Sequence, residues 1–113
     1  QMLAHLQAPL RVALGELRLK RSLIGLLVGP IMKKNLTSAA PWKKNLPTDK
    51  AFVVTGERNF LGERERLVEL VHRFGGARAI ISPHHPFFGT LTPEEWGVLL
   101  WKHMDHHLTQ FGV

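Results

Sequence analysis

Leu91-Thr92-Pro93-Glu94-Glu95-Trp96-Gly97-Val98-Leu99-Leu100-Trp101-Lys102-His103-Met104-Asp105-His106-His107-Leu108-Thr109-Gln110 (91–110) is the stretch that decides the fold. Thr92 has the chemistry of an N-cap, and Pro93 suits the first helical position because its missing N–H needs no partner there. Glu95, three residues after the cap, can reach back to the Thr92 amide and close a capping box. Leu91 before the cap and Trp96 four positions into the helix can form a hydrophobic staple. Trp96, Leu99 and Leu100 then recur at helical spacing. The same stripe continues through His103, His107 and Gln110. It therefore turns from indole and leucine to two imidazoles and an amide. Residues four apart lie one above the other on a helix, so the rings of His103 and His107 can converge on one point. A helical His-x-x-x-His pair is one arrangement that binds a metal ion. Two hydrogen-bonded histidines are the competing reading, and spacing alone leaves both open.

Upstream of this helix, Ser82-Pro83-His84-His85-Pro86-Phe87-Phe88-Gly89 reads as a connection turning around its prolines. The His84-His85 pair is a second candidate for metal binding or general-base work. Adjacent histidines in such a loop more often serve the surface. Phe87 and Phe88 are expected to plug the end of the core. Before that, Asn59 can cap a helix from Phe60 to Phe74, stopped by Gly75-Gly76. Phe60, Leu61, Leu67, Val68, Leu70, Val71 and Phe74 are its apolar positions. Glu63, Arg64, Glu65, Arg66, Glu69 and Arg73 read as its solvated side. Ala51 to Thr55 is a short extended run. The segment 35–50, with Pro41 and Pro47, reads as a long irregular crossover in which Trp42 anchors onto the body; a loop of this length is often functional.

The chain opens on a helix, Met2 to about Leu19, with Leu3, Leu6, Leu10, Ala13, Leu14 and Leu17 on one face. Pro9 removes the hydrogen bond to the carbonyl of His5, so either this helix kinks beside His5 or a new one starts at Pro9. By itself His5 carries little functional weight. Ser22 can cap an apolar piece, Leu23 to Val28, that Gly29-Pro30 is expected to stop, with Ile31-Met32-Lys33-Lys34 able to add another turn. Basic residues flank this piece. It can lie on a membrane surface, pack over one end of the core, or cover a partner subunit.

At 113 residues the chain is a single domain, 1–113. Hydrophobic residues make up 44% and charged residues 21%, which excludes a disordered chain. There is no cysteine, so disulfides, thiolate metal sites and a cysteine nucleophile are excluded together. That suits a reducing, cytoplasmic location. Fifteen Lys and Arg against nine acidic residues give +6, but they are scattered and build no specific nucleic-acid module. No stretch approaches the roughly 18 apolar residues of a transmembrane segment.

The residues 85–97 and 102–113, together with Gln1-Met2-Leu3-Ala4-His5-Leu6-Gln7-Ala8-Pro9-Leu10, Ile31-Met32-Lys33-Lys34 and Leu46-Pro47-Thr48-Asp49, resemble a small bacterial branch of the DinB-like (YfiT-like) metal-binding four-helix bundles. That branch is a domain of unknown function. The resemblance implies an all-α, DinB-like four-helix bundle with long crossover loops. It implies a divalent metal, zinc or nickel, held by His5 from an early helix and by His103 and His107. Three imidazoles leave an open coordination position, the arrangement used for catalysis. It implies a metal-dependent enzyme, a thiol-dependent transferase or a hydrolase, acting on a small-molecule substrate with a low-molecular-weight thiol as one partner. Gln110, His106 and His85 are the candidates for contacting substrate or supporting the ligands. Members of the superfamily carry a further helix ahead of the region that matches Gln1. This first helix is absent from the chain, and a fourth packing element is expected from upstream sequence or from a second copy in a homodimer. A non-catalytic bundle that binds a metal or another ligand, and a basic surface-binding module, stand as alternatives.

Overall fold

The computed structural model describes residues 1–36, 38, 40, 42, 48–76 and 81–113. These residues form an all-α structure of four helices: α1 (Met2–Ala13), α2 (Leu23–Lys34), α3 (Phe60–Gly76) and α4 (Pro93–Gln110). A short 3-10 helix, Lys50–Phe52, precedes α3. A two-residue hairpin, β1 (His84–His85) and β2 (Gly89–Thr90), precedes α4, pairing His84 with Thr90 and His85 with Gly89. Much of the 35–50 crossover lies outside the described residues, as does Ile80.

The helix start that organises the sequence is built as its chemistry requires. The Thr92 hydroxyl accepts from the Glu95 amide at 3.2 Å, and the Glu95 carboxylate accepts from the Thr92 amide at 2.8 Å. Two backbone donors at the helix end are satisfied reciprocally. Leu91 and Trp96 are both buried. They share one core with Leu10, Val12, Ala13, Leu36, Leu70, Leu99 and Leu100. The Trp96 indole donates to the Ser82 carbonyl at 2.7 Å, so the ring's polar atom is satisfied although the side chain is wholly inside.

Four expectations are corrected. First, α1 ends at Ala13 and not near Leu19. Gly15 takes φ +75°, its amide donates to Val12 and the Glu16 amide to Arg11. This is a Schellman closure, which consumes the last carbonyls of the helix and reverses the chain. Leu17 and Leu19 still pack on the core after the turn. Pro9 lies inside α1 and is buried, so no new helix begins there. Second, Gly29-Pro30 does not stop α2: the expected further turn, Ile31 to Lys34, continues the same helix without a break. Pro30 and Leu26 are exposed, so water can satisfy the carbonyl that the proline leaves without a donor. Gly25 and Gly29 serve packing instead. They lie one turn apart against the Phe87 backbone, and a Cβ on Gly25 would stand 2.6 Å from the Phe87 carbonyl oxygen.

Third, Ala51 and Phe52 belong to the 3-10 turn, not to an extended run. The Asp49 carboxylate caps it by accepting from the Ala51 amide. Fourth, Glu63 is buried rather than solvated. It accepts from the Gln7 side chain at 2.7 Å and from Arg66 at 3.1 Å. A carboxylate can be buried here because α1 supplies a donor at the α1–α3 contact. Asn59 does cap α3, its side chain accepting from the Gly62 amide. The apolar positions of α3 divide. Leu67, Leu70 and Phe74 turn to the core, while Phe60, Leu61, Val68 and Val71 are exposed.

Candidate metal centre

Histidines 98 positions apart meet inside this fold. His5 sits in the first turns of α1, and His103 and His107 sit one turn apart on α4. The Nε2 atom of His103 lies 3.1 Å from His5 Nε2 and 3.2 Å from His107 Nε2. One ligand atom from each ring falls within 4.8 Å of the others. All three side chains are half-buried.

Proton arithmetic makes this cluster unusual. The Nδ1 atom of His5 is 2.8 Å from the Phe52 carbonyl, which can only accept. His5 therefore carries its proton on Nδ1 and turns a bare lone pair at Nε2 toward His103. A neutral imidazole has a single N–H. His103 can use it toward His5 or toward His107, but not toward both. In the neutral cluster the central ring cannot satisfy both neighbours by donation. A cation at the shared centre would resolve this. Ligands about 2.0–2.1 Å from a tetrahedral zinc stand roughly 3.3–3.4 Å from each other, close to the spacings found.

Burial and mutual repulsion keep the two α4 rings in their ligand form. Burial, followed by the charges that His5, His107, His106 and His85 would carry, lowers the His103 pKa to about 3. Burial, then His5 and His106, also lowers that of His107. Neutral imidazole is the form that binds metal.

Trp42 packs on this side of α4. Trp42 lies at 5.8 Å from the His103 ring and 6.3 Å from that of His106, centroid to centroid. Lys102, beside His103, is buried. Its ammonium donates to the carbonyls of Ser38 at 2.6 Å and Leu36 at 3.3 Å, tying the chain after α2 to α4. Sequence reasoning missed this lysine, because a basic residue between Trp101 and His103 looks like solvated surface.

The supporting candidates are placed differently from one another. His106 contacts the His107 ring at 5.3 Å, and its Nε2 pairs with the Gln110 amide nitrogen at 3.2 Å. Gln110 is exposed, so the inward stripe ends at His107. His85 is not among the three clustered rings. Its Nδ1 accepts from the Phe87 and Phe88 amides at 3.0 and 3.1 Å, and its ring packs on Trp96 at 5.1 Å. It holds the hairpin turn. His84 and His72 are exposed.

The role of His85 carries a pH dependence. Burial lowers its pKa from 6.5 to about 4. Below pH 6.5 the unfolded ring takes up a proton that the folded ring refuses. The stability from the neutral ring is thus complete above 6.5 and is lost as pH falls toward 4, on the order of 3 kcal/mol. Urea unfolding across this range should show His85→Asn with a shallower acid loss than the parent chain. Equal slopes would contradict the assignment.

These features define an all-α fold with a half-buried cluster of three histidines. The family model for DUF1569, a protein of unknown function, matches residues 17–112, and the chain belongs to this family. His103 and His107 lie inside the matched span and His5 ahead of it. No curated protein and no solved structure shows a significant match.

Proposed function

We propose that His5, His103 and His107 hold a divalent metal ion through their Nε2 atoms, and that the domain is a member of the DinB-like metal-binding helical bundles. The observation that carries the reading is the convergence of three ring nitrogens, at 3.1 and 3.2 Å, when the His5 tautomer is already fixed by Phe52. A ligand whose second nitrogen donates to a carbonyl is the usual support for a metal-bound imidazole. Zinc and nickel both suit an all-imidazole donor set.

Three protein ligands leave a position for water or substrate, which favours catalysis over a purely structural role. Bound there, a metal ion would lower the pKa of water or of a small thiol and polarise an acceptor. The chain's own contribution is to hold the His103 and His107 rings neutral by burial, to orient His5 through Phe52, and to wall the site with Trp42. A thiol-dependent transferase or a hydrolase acting on a small molecule is the activity this supports best. A bundle that binds the metal without catalysis is the second reading, favoured because, among the described residues, no carboxylate pairs with the three rings.

The test is metal content. Protein equilibrated with zinc or nickel and then desalted should retain about one equivalent, as expected for a site of three converging imidazoles. Retention below a tenth of that would overturn the proposal.

A further inference from the structure

The surface of α2 points to a partner of a different kind. Its buried side is two glycines, Gly25 and Gly29, seated on the Phe87 backbone. On the other side Leu23, Ile24, Leu27 and Ile31 are 79, 67, 81 and 66% exposed. Leu23, Leu27 and Ile31 follow one another at four-residue spacing, so they form a single ridge. Leu26, Val28 and Met32 widen it. Soluble surfaces rarely gather this many large apolar side chains without a use for them.

The ends of the ridge are basic. Lys20 and Arg21 precede the Ser22 cap, Lys33 and Lys34 close the last turn, and no acidic residue occurs between Lys20 and Lys34. Lys33 is engaged by Glu95 and the Thr90 carbonyl. Lys20, Arg21 and Lys34 are exposed. Charge decides between a second copy of the chain and an anionic surface as the occupant of this ridge. A second copy laid antiparallel would set Lys20 and Arg21 against the other copy's Lys34; laid parallel, it would set each end against its like. Cations meet cations either way. An anionic surface meets both ends favourably.

We propose that α2 is a membrane-surface anchor. It lies in the headgroup layer of an anionic bilayer, with Leu23, Leu27 and Ile31 entering the acyl boundary and Lys20, Arg21 and Lys34 at lipid phosphates. Twelve residues make a helix of about 18 Å, which lies along the surface and does not cross it. Among the described residues no helix is long and apolar enough to cross a membrane. The anchor is separate from the histidine cluster and stands without it.

Vesicle sedimentation tests the proposal, using phosphatidylcholine alone and phosphatidylcholine mixed with an equal part of phosphatidylglycerol. The chain should bind the mixed vesicles and release as salt is raised. Leu27→Asp should abolish binding, and Lys20→Ser with Lys34→Ser should weaken it roughly thirtyfold, about a fivefold loss for each charge removed near an anionic surface. These side chains face solvent, so circular dichroism and melting temperature should be unchanged. His103→Ala should bind vesicles as the parent does. Equal binding to both vesicle types, or full binding by Leu27→Asp, would overturn the proposal. So would a dimer in light scattering that Leu27→Asp dissociates while no vesicle is bound.

Discussion

His103→Ala should lose its metal: from about one equivalent to below a tenth, with affinity down by at least about a hundredfold, since outer-shell changes alone cost ten- to a hundredfold. His103 is the sharpest choice because its Nε2 is near both other rings, at 3.1 and 3.2 Å. A thermal readout separates this from misfolding. With zinc at about a thousand times its dissociation constant, the parent should gain on the order of 4 kcal/mol, and the variant nothing. Without metal the two should melt within a few degrees of each other, since a half-buried ring is replaced and no core leucine is lost. His106→Ala is the matched control and should keep its full equivalent, because the His106 Nε2 atom already pairs with Gln110. Full retention by His103→Ala would move the site elsewhere.

The largest stability effect is expected at Trp96. Trp96→Ala should cost about 3–5 kcal/mol through the lost transfer energy and the cavity left behind. Its side chain is fully buried beside Leu91, Leu99 and Leu100. The change also strips the donor from the Ser82 carbonyl, which links α4 to the segment before the hairpin. Domains of this size are stable by only about 5–15 kcal/mol, so the urea midpoint should fall by a large fraction. Trp96→Phe should recover most of the packing but not the hydrogen bond, which is worth about 1 kcal/mol. A loss below about 1 kcal/mol for the alanine variant would show that the core is not centred on this ring.

How much of this was legible in the sequence depends on how far apart the determinants lie. The start of α4 was legible because Thr92, Pro93, Glu95 and Trp96 act within one turn of each other. The His103–His107 pair was legible for the same reason. The third ring was not: no local pattern indicates that His5 will arrive 98 positions away, and only resemblance to a metal-binding bundle brought it into the set. Gly15 was overlooked because the leucine periodicity runs past it to Leu17. Those leucines do reach the core, but from beyond the turn. Gly29-Pro30 reads as a stop because the pair breaks helices in isolation. The determinant was tertiary, the Phe87 backbone requiring a flat helix surface. Glu63 reads as solvated until the α1 donor that meets it, Gln7, is known. His85 reads as a loop residue until the two amides that its ring accepts are placed.

X-ray absorption on the zinc-loaded chain puts the question to the metal itself. Our reading requires a first shell of three imidazole nitrogens at about 2.0–2.1 Å with one further oxygen or nitrogen ligand. The imidazole outer-shell signal should fall to two in His5→Ala. A shell with fewer than three imidazoles, or one left unaltered when His5 is removed, would contradict the meeting of the two ends of the chain at one ion.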